Sequence, residues 1–364
     1  MSGRVVTFGE VMGRISPPGS KRFLQAMPGT VEFTFGGAEA NVAVALARLG
    51  ARAALVTALP DNLVADACVA YLRGLGVETD LIVRRSEGRL GLYYAEPGAN
   101  QRPSVVVYDR EGSTVALTES SAYDWDRSLE GADWFHTTGI TPALSAEAAG
   151  AVRAAMATAR RRGATVSCDL NFRRKLWRWQ PGTPPRALAA RTMRELLPMV
   201  DVLIANEEDA AEVLGIRAAD TDVEAGRLAV DRYPEVAARI VAEFPNIRWV
   251  AVTLRESVSA DYNRWGGLLY EGATGRVELA PRQDGRYAPY EIRDIVDRIG
   301  AGDAFAAGLI FGMRTPELAA PDRTLAFAVA LSCLAHSVYG DFALVSRAEV
   351  EALVKGSGTG RVQR

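Results

Sequence analysis

Histidine and cysteine are scarce in this chain, and their scarcity excludes several kinds of metal and redox site. The 364 residues include 2 histidines and 3 cysteines. Cys68, Cys168 and Cys333 lie far apart in apolar runs, which is typical of buried free thiols in a reducing compartment. With only His136 and His336 to join them, no Cys/His zinc pattern can be assembled.

Long hydrophobic runs and an excess of charge of one sign are also missing. No uncharged apolar run reaches about 18 residues, the length that crosses a bilayer. The N-terminal MSGRVVTFGEVMG enters a strand-like segment without a charged leader and apolar stretch. The formal net charge is −2, which gives no global attraction for nucleic acid or anionic membranes. We therefore expect a cytoplasmic protein whose partners are small molecules.

Short β-rich segments alternate with helical patterns along most of the chain. The segments VVTFGEVM at 5–12 and ARAALVTAL at 51–59 are typical of buried strands, and helical patterns follow them at 38–49 and 65–77. The alternation resumes near residue 132. Such a pattern predicts an α/β fold with a mostly parallel sheet covered by helices. The length allows one large domain over residues 1–364.

Two stretches interrupt this alternation. Residues 14–36 and 89–118 alternate apolar and polar side chains without helical spacing. Period-2 alternation indicates strands with one exposed face, and such strands are usually antiparallel. We expect these stretches to form a small antiparallel sheet outside the main one.

The segment GAGDAF at 300–305 is the strongest candidate for a chemical site. Gly300 and Gly302 allow backbone N–H groups to converge where a helix begins, and such an arrangement suits a phosphoryl group. Asp303 stands where a carboxylate could take a proton from an attacking hydroxyl. A tight turn followed by a capping aspartate would explain the same residues, so the motif needs further support.

That support comes from a second motif far upstream. Gly36, Gly37, Asn41 and Ala43 match a G-G-x-x-x-N-x-A pattern. Together with a match to D-T-x-G-A-G-D-x-F over 297–305, in which Arg298 replaces the threonine, this resembles the ribokinase (PfkB) family of carbohydrate kinases. The resemblance implies a three-layer ribokinase-like core with a mostly parallel central sheet and a small β-sheet lid, formed from about 14–36 and 89–118.

The resemblance also implies roles for residues of the reaction site. Asp303 would be the catalytic base, and the amides of Gly300, Ala301 and Gly302 would hold the transferring phosphate. Gly36, Gly37 and Asn41 would lie on the sugar side. The implied cofactors are ATP and Mg²⁺, with a monovalent cation as a further candidate.

The family's N-x-x-E motif, which organises Mg²⁺ through water and ATP, is replaced here by Asn206–Glu207–Glu208–Asp209. Aspartate stands in its last position, and Glu208 could substitute for it. We expect no direct protein ligand for Mg²⁺, and water-mediated binding near Asp209. An ordinary capped helix start would look the same.

By the same resemblance, the nucleotide base would lie between the 253–266 segment and the helix predicted at 325–339. Thr253, Arg255 and Ser332 are the candidate contacts. The segment beginning TLRES replaces the T-L-G-x-x-G found in other members of the family. Tight helix packing would explain the small side chains of the helix equally well.

Four further segments are similar to the 2-keto-3-deoxygluconate kinases within that family: GEVMGRISPP, VVYDREGS, CDLNFRRKLW and HSVYGDFALVS. A sugar acid requires positive charge or directed donors in its site. Arg110 and Arg173 offer guanidinium groups that a neutral sugar would leave without a matching charge. Asn171 should point to the same side as Arg173. These arginines could instead lie at the surface or contact phosphate.

Tyrosines alternate along the strands predicted for the lid. Among them, Tyr94 and Tyr108 are the candidates to face the sugar, although tyrosines can also simply cover a lid surface. The apolar strand VVVYD at 105–109 favours pairing of lids in a homo-oligomer.

The sequence thus predicts an ATP-dependent kinase that converts 2-keto-3-deoxygluconate to its 6-phosphate. The alternatives are another sugar kinase of the family, such as a fructokinase or a 5-keto-sugar-acid kinase, and a non-catalytic sugar-binding regulator. A Rossmann dehydrogenase is excluded because no G-x-G-x-x-G follows the first strand.

Overall fold

The structure is a computed structural model that describes residues 3–205, 208–216 and 230–356. Its strands, in chain order, are β1 (Arg4–Phe8), β2 (Met12–Ser16), β3 (Glu32–Gly36), β4 (Ala53–Pro60), β5 (Ile82–Arg85), β6 (Gly91–Glu96), β7 (Val105–Asp109), β8 (Ala132–Thr138), β9 (Thr165–Asp169), β10 (Val202–Ala205), β11 (Trp249–Ser259), β12 (Tyr262–Glu271), β13 (Val277–Ala280), β14 (Arg282–Gln283), β15 (Arg286–Tyr287) and β16 (Tyr290–Arg293). The α-helices are α1 (Phe23–Ala26), α2 (Ala38–Arg48), α3 (Leu63–Gly74), α4 (Thr114–Leu117), α5 (Trp125–Ser128), α6 (Ala146–Arg161), α7 (Pro185–Leu196), α8 (Tyr233–Glu243), α9 (Ala301–Arg314), α10 (Pro321–Ala335) and α11 (Arg347–Val354).

The central sheet has the strand order β13-β12-β11-β10-β9-β8-β1-β4-β5. All neighbours from β11 to β5 run parallel. Strand β12 turns back antiparallel to β11 and also pairs with β13 and β16. The predicted fold class, a mostly parallel sheet covered by helices with a small separate sheet, is confirmed.

Helices cover the central sheet on both faces, because alternate side chains of each strand point to opposite sides. Along β1, Val5 belongs to the apolar cluster that includes α2, α9 and α10. Val6 and Phe8 belong to the cluster that includes α6 and α7. Both clusters are almost fully buried, so the chain forms three layers.

The opening segment VVTFGEVM is not a single strand, contrary to the sequence-based prediction. Strand β1 ends at Phe8 in the central sheet, and β2 begins at Met12 in the small sheet. The chain passes closely over α2 between them, since a Cβ at Gly9 would lie 2.0 Å from Glu39 Oε2. Glu39 is itself held by Thr138 and Thr141, whose hydroxyls donate to its Oε1 at 2.8 and 2.7 Å.

The small sheet has the strand order β3-β2-β6-β7. The pairs β2–β3 and β6–β7 are antiparallel, as predicted, but β2 and β6 run parallel. The sheet is mixed because the chain between β3 and β6 passes through α2, β4, α3 and β5 before it returns. Phe33, Val105 and Val107 are about half exposed on this sheet. Its pairing between subunits stays a prediction.

A buried arginine joins the small sheet to the loops beside the cavity. Arg14 on β2 is 1% exposed and lies 2.6 Å from Asp297 Oδ2 and 3.1 Å from Asp341 Oδ1. Its Nε donates to Ser16 Oγ at 2.9 Å. Asp297 also accepts hydrogen bonds from three backbone N–H groups of the adjoining loops. One cation therefore compensates two buried carboxylates.

We expect Arg14→Met to lower the free energy of unfolding by about 3–5 kcal/mol, because it leaves buried carboxylates without a cation. Urea denaturation at pH 7.5 measures the effect. Arg52→Met is the matched control, since Arg52 is paired with Glu78 at the surface and such pairs contribute about 1 kcal/mol or less. Equal losses for the two variants would contradict the role given to Arg14.

The cysteine thiols are unpaired: Cys68 and Cys168 are buried, and Cys333 is partly exposed. In the portion of the chain given by the structure, no helix combines the length and the apolar character that a bilayer crossing requires.

Candidate active site

A cavity of about 410 Å³ opens at the carboxyl ends of the central strands, where ligands bind in open parallel sheets. Its walls include the ends of β9 and β10, the β11–β12 hairpin, the inner face of the small sheet, the start of α2, and the segment 298–303 that leads into α9. The GAGD motif and the small sheet thus face the same space.

The turn before α9 requires glycine at one position and leaves space at another. Gly300 has φ 84°, and a Cβ there would lie 2.1 Å from the backbone oxygen of Asp341. A Cβ at Gly302 would meet nothing within 4 Å, so this position faces open space in the cavity wall. Beneath the turn, Ser332 Oγ donates to Ala301 O at 2.6 Å. The first N–H groups of α9 and its helix dipole can therefore bind an anion.

Asp303 lies in the first turn of α9, and its pKa is raised to about 7. Desolvation is the main cause, and the charges of Asp341 and Glu39 add to it. A hydrogen bond from Asn41 and the charge of Arg173 oppose the shift. A carboxylate with a pKa near 7 is well matched to accepting a proton at neutral pH.

The upstream glycine pair positions Asn41 against Asp303. Asn41 Nδ2 donates to Asp303 Oδ2 at 2.7 Å, while Asn41 Oδ1 accepts from Gly37 N at 3.2 Å. Gly37 has φ 146°, and a Cβ there would lie 2.1 Å from Glu10 O. Gly36 does not line the cavity; its missing Cβ admits the Asp341 carboxylate, which would lie 2.2 Å away.

Two tyrosines of the small sheet line the cavity, and one of them differs from the sequence-based assignment. Tyr93 and Tyr108 are direct partners across β6 and β7 and share the inner face. Tyr94 points to the other face, where its ring packs edge-on against Phe23 at 6.0 Å. Tyr93 thus takes the place expected for Tyr94, because neighbouring residues of a strand face opposite sides. The Tyr93 hydroxyl donates to Asp341 Oδ1.

Arg110 lines the cavity, but it does not lack a matching charge. Its guanidinium forms an ion pair with Glu10, and both side chains are buried. The sequence-based expectation of an uncompensated charge is therefore wrong for Arg110. The pair was not foreseen because Glu10 lies outside the sequence motif that contains Arg110. The Arg110 guanidinium also lies over the Tyr108 ring at 5.5 Å, and its Nε is buried without a hydrogen-bond partner among the described residues.

Asn171 and Arg173 both line the cavity, from the loop that follows β9 and not from a strand edge. Asn171 has φ 37°, and its N–H donates to Asp169 Oδ1 at 3.1 Å. Arg173 Nη1 donates to Phe172 O at 3.1 Å. The positive charge of Arg173 lowers the pKa values of Asp169 and Asp303, so it lies near the candidate base.

Two carboxylates line the cavity beside these residues. Asp169, which the sequence did not single out, has a pKa raised well above its usual range by burial and by the charges of Asp209 and Asp303. Asp209 accepts a hydrogen bond from Phe172 N at 3.0 Å. Glu208 is exposed and does not line the cavity, and Asn206 lies outside the described residues.

Carboxylates that repel one another in this way attract a cation, so the pair Asp169 and Asp209 fits a hydrated Mg²⁺. Over 3–205, 208–216 and 230–356, no three His, Cys, Asp or Glu side chains come together as metal ligands.

Of the three residues predicted to contact the nucleotide base, two line the cavity. Thr253 and Arg255 line the cavity, whereas Ser332 supports the Ala301 turn from behind. Other lining residues on this side were not assigned a role from the sequence; they are Asn263, Trp265 and Arg298. Asp341 was also missed, although the segment HSVYGDFALVS that contains it was one of those singled out.

The chain matches the model of the pfkB family of carbohydrate kinases over residues 2–254. The chain belongs to this family. A 2-dehydro-3-deoxygalactonokinase of Haloferax volcanii is 35% identical over 99% of each chain. A 2-dehydro-3-deoxygluconokinase of Thermoproteus tenax is 30% identical, over 88% of this chain and 85% of that protein.

Among solved structures, a 2-dehydro-3-deoxygluconokinase of Thermotoga maritima is 42% identical, with a TM-score of 0.86 over 97% of this chain and 100% of that one. The family resemblance seen in the sequence is confirmed, and this pfkB kinase is an ATP-dependent sugar kinase. A non-catalytic regulator is not supported.

Proposed function

We propose that this kinase transfers the γ-phosphate of ATP to the 6-hydroxyl of 2-keto-3-deoxygluconate, which is also called 2-dehydro-3-deoxygluconate. The observation that carries the proposal is the position of Asp303. Its carboxylate has a pKa of about 7, lies in the first turn of α9, and shares one cavity with Arg173 and the tyrosines of the small sheet. The names of the relatives given above support the choice of a 2-keto-3-deoxy sugar acid.

In this mechanism Asp303 accepts the proton of the 6-hydroxyl while the hydroxyl oxygen attacks the γ-phosphorus. The bond between the γ-phosphorus and the bridging oxygen breaks, and ADP carries the electron pair away. The N–H groups at the start of α9 stabilise the charge on the transferring phosphoryl oxygens. Asn41 orients the Asp303 carboxylate through its 2.7 Å hydrogen bond.

Asp169 and Asp209 would hold Mg²⁺ through water, as their burial and mutual repulsion favour a cation there. When bound together with ATP, Mg²⁺ neutralises charge on the phosphates. The Asp169 and Asp209 carboxylates would hold the ion through its water, while Asp303 would accept the proton.

The acid end of the sugar would lie under the small sheet. Arg110 lines this part of the cavity, and the Tyr93 and Tyr108 side chains form the adjoining wall. Since Glu10 compensates Arg110, the remaining positive charge comes from Arg173. A carboxylate needs such donors when it leaves water.

The galactonate epimer is a second candidate, because the Haloferax volcanii relative that covers 99% of this chain bears that name. The two sugar acids differ in configuration at C4. Initial rates with both epimers, fructose and ribose, measured by ADP release, test the proposal. We expect the gluconate form to give the highest kcat/KM. A preference for fructose or ribose would overturn the sugar-acid assignment, and a preference for the galactonate epimer would replace the substrate.

The raised pKa of Asp303 predicts a pH dependence of the reaction. A base must be ionised to accept a proton, so kcat/KM should fall about tenfold per pH unit below pH 7 and level off above it. Rates at saturating ATP between pH 5.5 and 9 measure this profile. A profile that is flat from pH 6 to 8 would contradict the role of Asp303 as the base.

A further inference from the structure

One face of the β11–β12 hairpin supplies a group of cavity residues that the proposed mechanism does not use. Arg255 is paired with Trp265 across the two strands, and Ser257 with Asn263. Since cross-strand partners and alternate residues share a face, Thr253, Arg255, Asn263 and Trp265 project together. All four line the cavity.

Arg298 reaches the same face from the segment that precedes the phosphate-binding turn. Its Nη2 donates to Ser259 O at 3.1 Å and to Asn263 Oδ1 at 3.2 Å. Its buried Nε has no hydrogen-bond partner. Burial and the positive charge of Arg255 lower the pKa of Arg298, while the charges of Asp261 and Asp297 oppose this shift. The two guanidinium groups therefore lie close enough to repel each other.

In the part of the chain that the structure describes, neither guanidinium forms an ion pair within 4.0 Å of a carboxylate. The charges of Asp261 and Asp297 act on Arg298 from farther away. All three lysines, Lys21, Lys175 and Lys355, lie in the described residues, and none lines the cavity. Positive charge on this side of the cavity thus comes from arginine.

Trp265 forms part of the cavity wall on this face. The side chain is 4% exposed, and its Nε1 is buried without a hydrogen-bond partner among the described residues. His336 lies against it, with ring centroids 5.0 Å apart. Burial lowers the pKa of His336 to about 4, so the ring is neutral. Its Nδ1 donates to Ser332 O at 2.8 Å, and His336 therefore adds no charge.

We propose that Arg255 and Arg298 bind the part of the donor nucleotide's phosphate chain that is not transferred, beside the wall that Trp265 forms. Two guanidinium groups that form no ion pair within 4.0 Å in the described residues, beside the N-terminus of α9, suit a polyphosphate that carries several charges.

The position of Arg298 is consistent with this site. It stands two residues before Gly300, and both residues line the cavity. Arg298 and Arg255 are also the two points at which this chain departs from the threonine and glycine of the family pattern. Arginine side chains at these two positions would bring a positive charge to the phosphates that threonine and glycine lack.

The site rests on the kinase activity for the identity of its ligand, but its main test is nucleotide binding, which needs no sugar and no turnover. Calorimetry can compare adenosine, ADP and a non-hydrolysable ATP analogue with Mg²⁺, each at 50 and 300 mM NaCl. The variants are Arg255→Ala, Arg298→Thr and Arg298→Lys. Arg264→Ala is the matched control, because Arg264 projects from the opposite face of the same hairpin and pairs with Glu256 and Glu291.

We expect Arg255→Ala and Arg298→Thr each to weaken binding of ADP and of the ATP analogue about tenfold or more, since charge-assisted hydrogen bonds are lost. Adenosine should bind as it does to the wild type, Arg298→Lys should recover part of the affinity, and the salt dependence should become weaker. The control should bind all three ligands normally.

Three results would overturn the proposal. Equal losses for adenosine and ADP would assign these residues to the base or ribose. A higher KM for the sugar acid with unchanged nucleotide affinity would assign the arginines to the sugar carboxylate. Unchanged affinity for every ligand would remove them from the site. Arg255 is exposed, so Arg255→Ala provides the decisive measurement even if the Arg298 variants unfold.

Discussion

Replacing Asp303 by asparagine should lower kcat by about two to four orders of magnitude, which is the usual contribution of a general base. The substitution preserves shape, and the new amide oxygen can still accept the hydrogen bond that Asn41 Nδ2 donates at 2.7 Å. KM for ATP should change little, because the N–H groups at the start of α9 remain. Steady-state kinetics at pH 8, where the native carboxylate is ionised, measure the loss. Full activity would remove Asp303 from the mechanism.

The same substitution should stabilise the fold, and the sign follows from the pKa. Asp303 has a folded pKa of about 7 against an ordinary value of 3.8, so folding favours its protonated form. The free energy of unfolding therefore falls as pH rises from about 4 to about 7, because over this interval Asp303 releases its proton more readily in the unfolded chain than in the folded one. Asp303→Asn avoids this loss, and its advantage should grow over that interval to at most about 4 kcal/mol.

Urea denaturation of both proteins at pH 5 and pH 8 measures the difference. Glu349→Gln is a suitable control, because the pKa of Glu349 is lowered by its hydrogen bonds to Ser346 in a capping box. That substitution should destabilise the protein at neutral pH. An Asp303→Asn protein that is less stable than the native chain at pH 8 would contradict the raised pKa.

The parts of this site that could be predicted from sequence depend on local backbone geometry. Gly300 and Gly37 have φ values of 84° and 146°, which favour glycine, so both motifs carry a local signal that the sequence shows. The strand segments were recognisable for a similar reason, since their apolar runs determine their burial.

The parts that could not be predicted depend on register and on partners distant in sequence. Whether Tyr93 or Tyr94 faces the cavity is decided by the pairing of β6 with β7, and a shift of one residue would exchange them. Arg14 and Asp341 are 327 residues apart, and Glu10 meets Arg110 only once the small sheet lies against the core. The charge of the sugar site was overestimated because this last pair was not foreseen.

The two glycines of the GAGD motif should respond very differently to alanine, and the difference separates folding from catalysis. Gly300→Ala places a Cβ 2.1 Å from the Asp341 backbone oxygen at φ 84°. The backbone at Gly300 and at Asp341 must shift, and we expect a loss of about 2–4 kcal/mol of unfolding free energy from strain and misplaced packing. Because the turn carries the N–H groups that bind phosphate, kcat should also fall at least about a hundredfold.

Gly302→Ala is the matched variant, since its Cβ meets nothing within 4 Å and the residue lies in regular helix. Alanine favours helix over glycine by about 1 kcal/mol, so this variant should be as stable as the native protein or more so. Its methyl group nevertheless enters the space where the transferring phosphate would lie, and ATP turnover should fall while the fold is intact. Thermal unfolding and kinetics of both variants provide the comparison. If Gly302→Ala kept full activity, the phosphate would have to lie elsewhere in the cavity, and the N-terminus of α9 would lose its place in the mechanism.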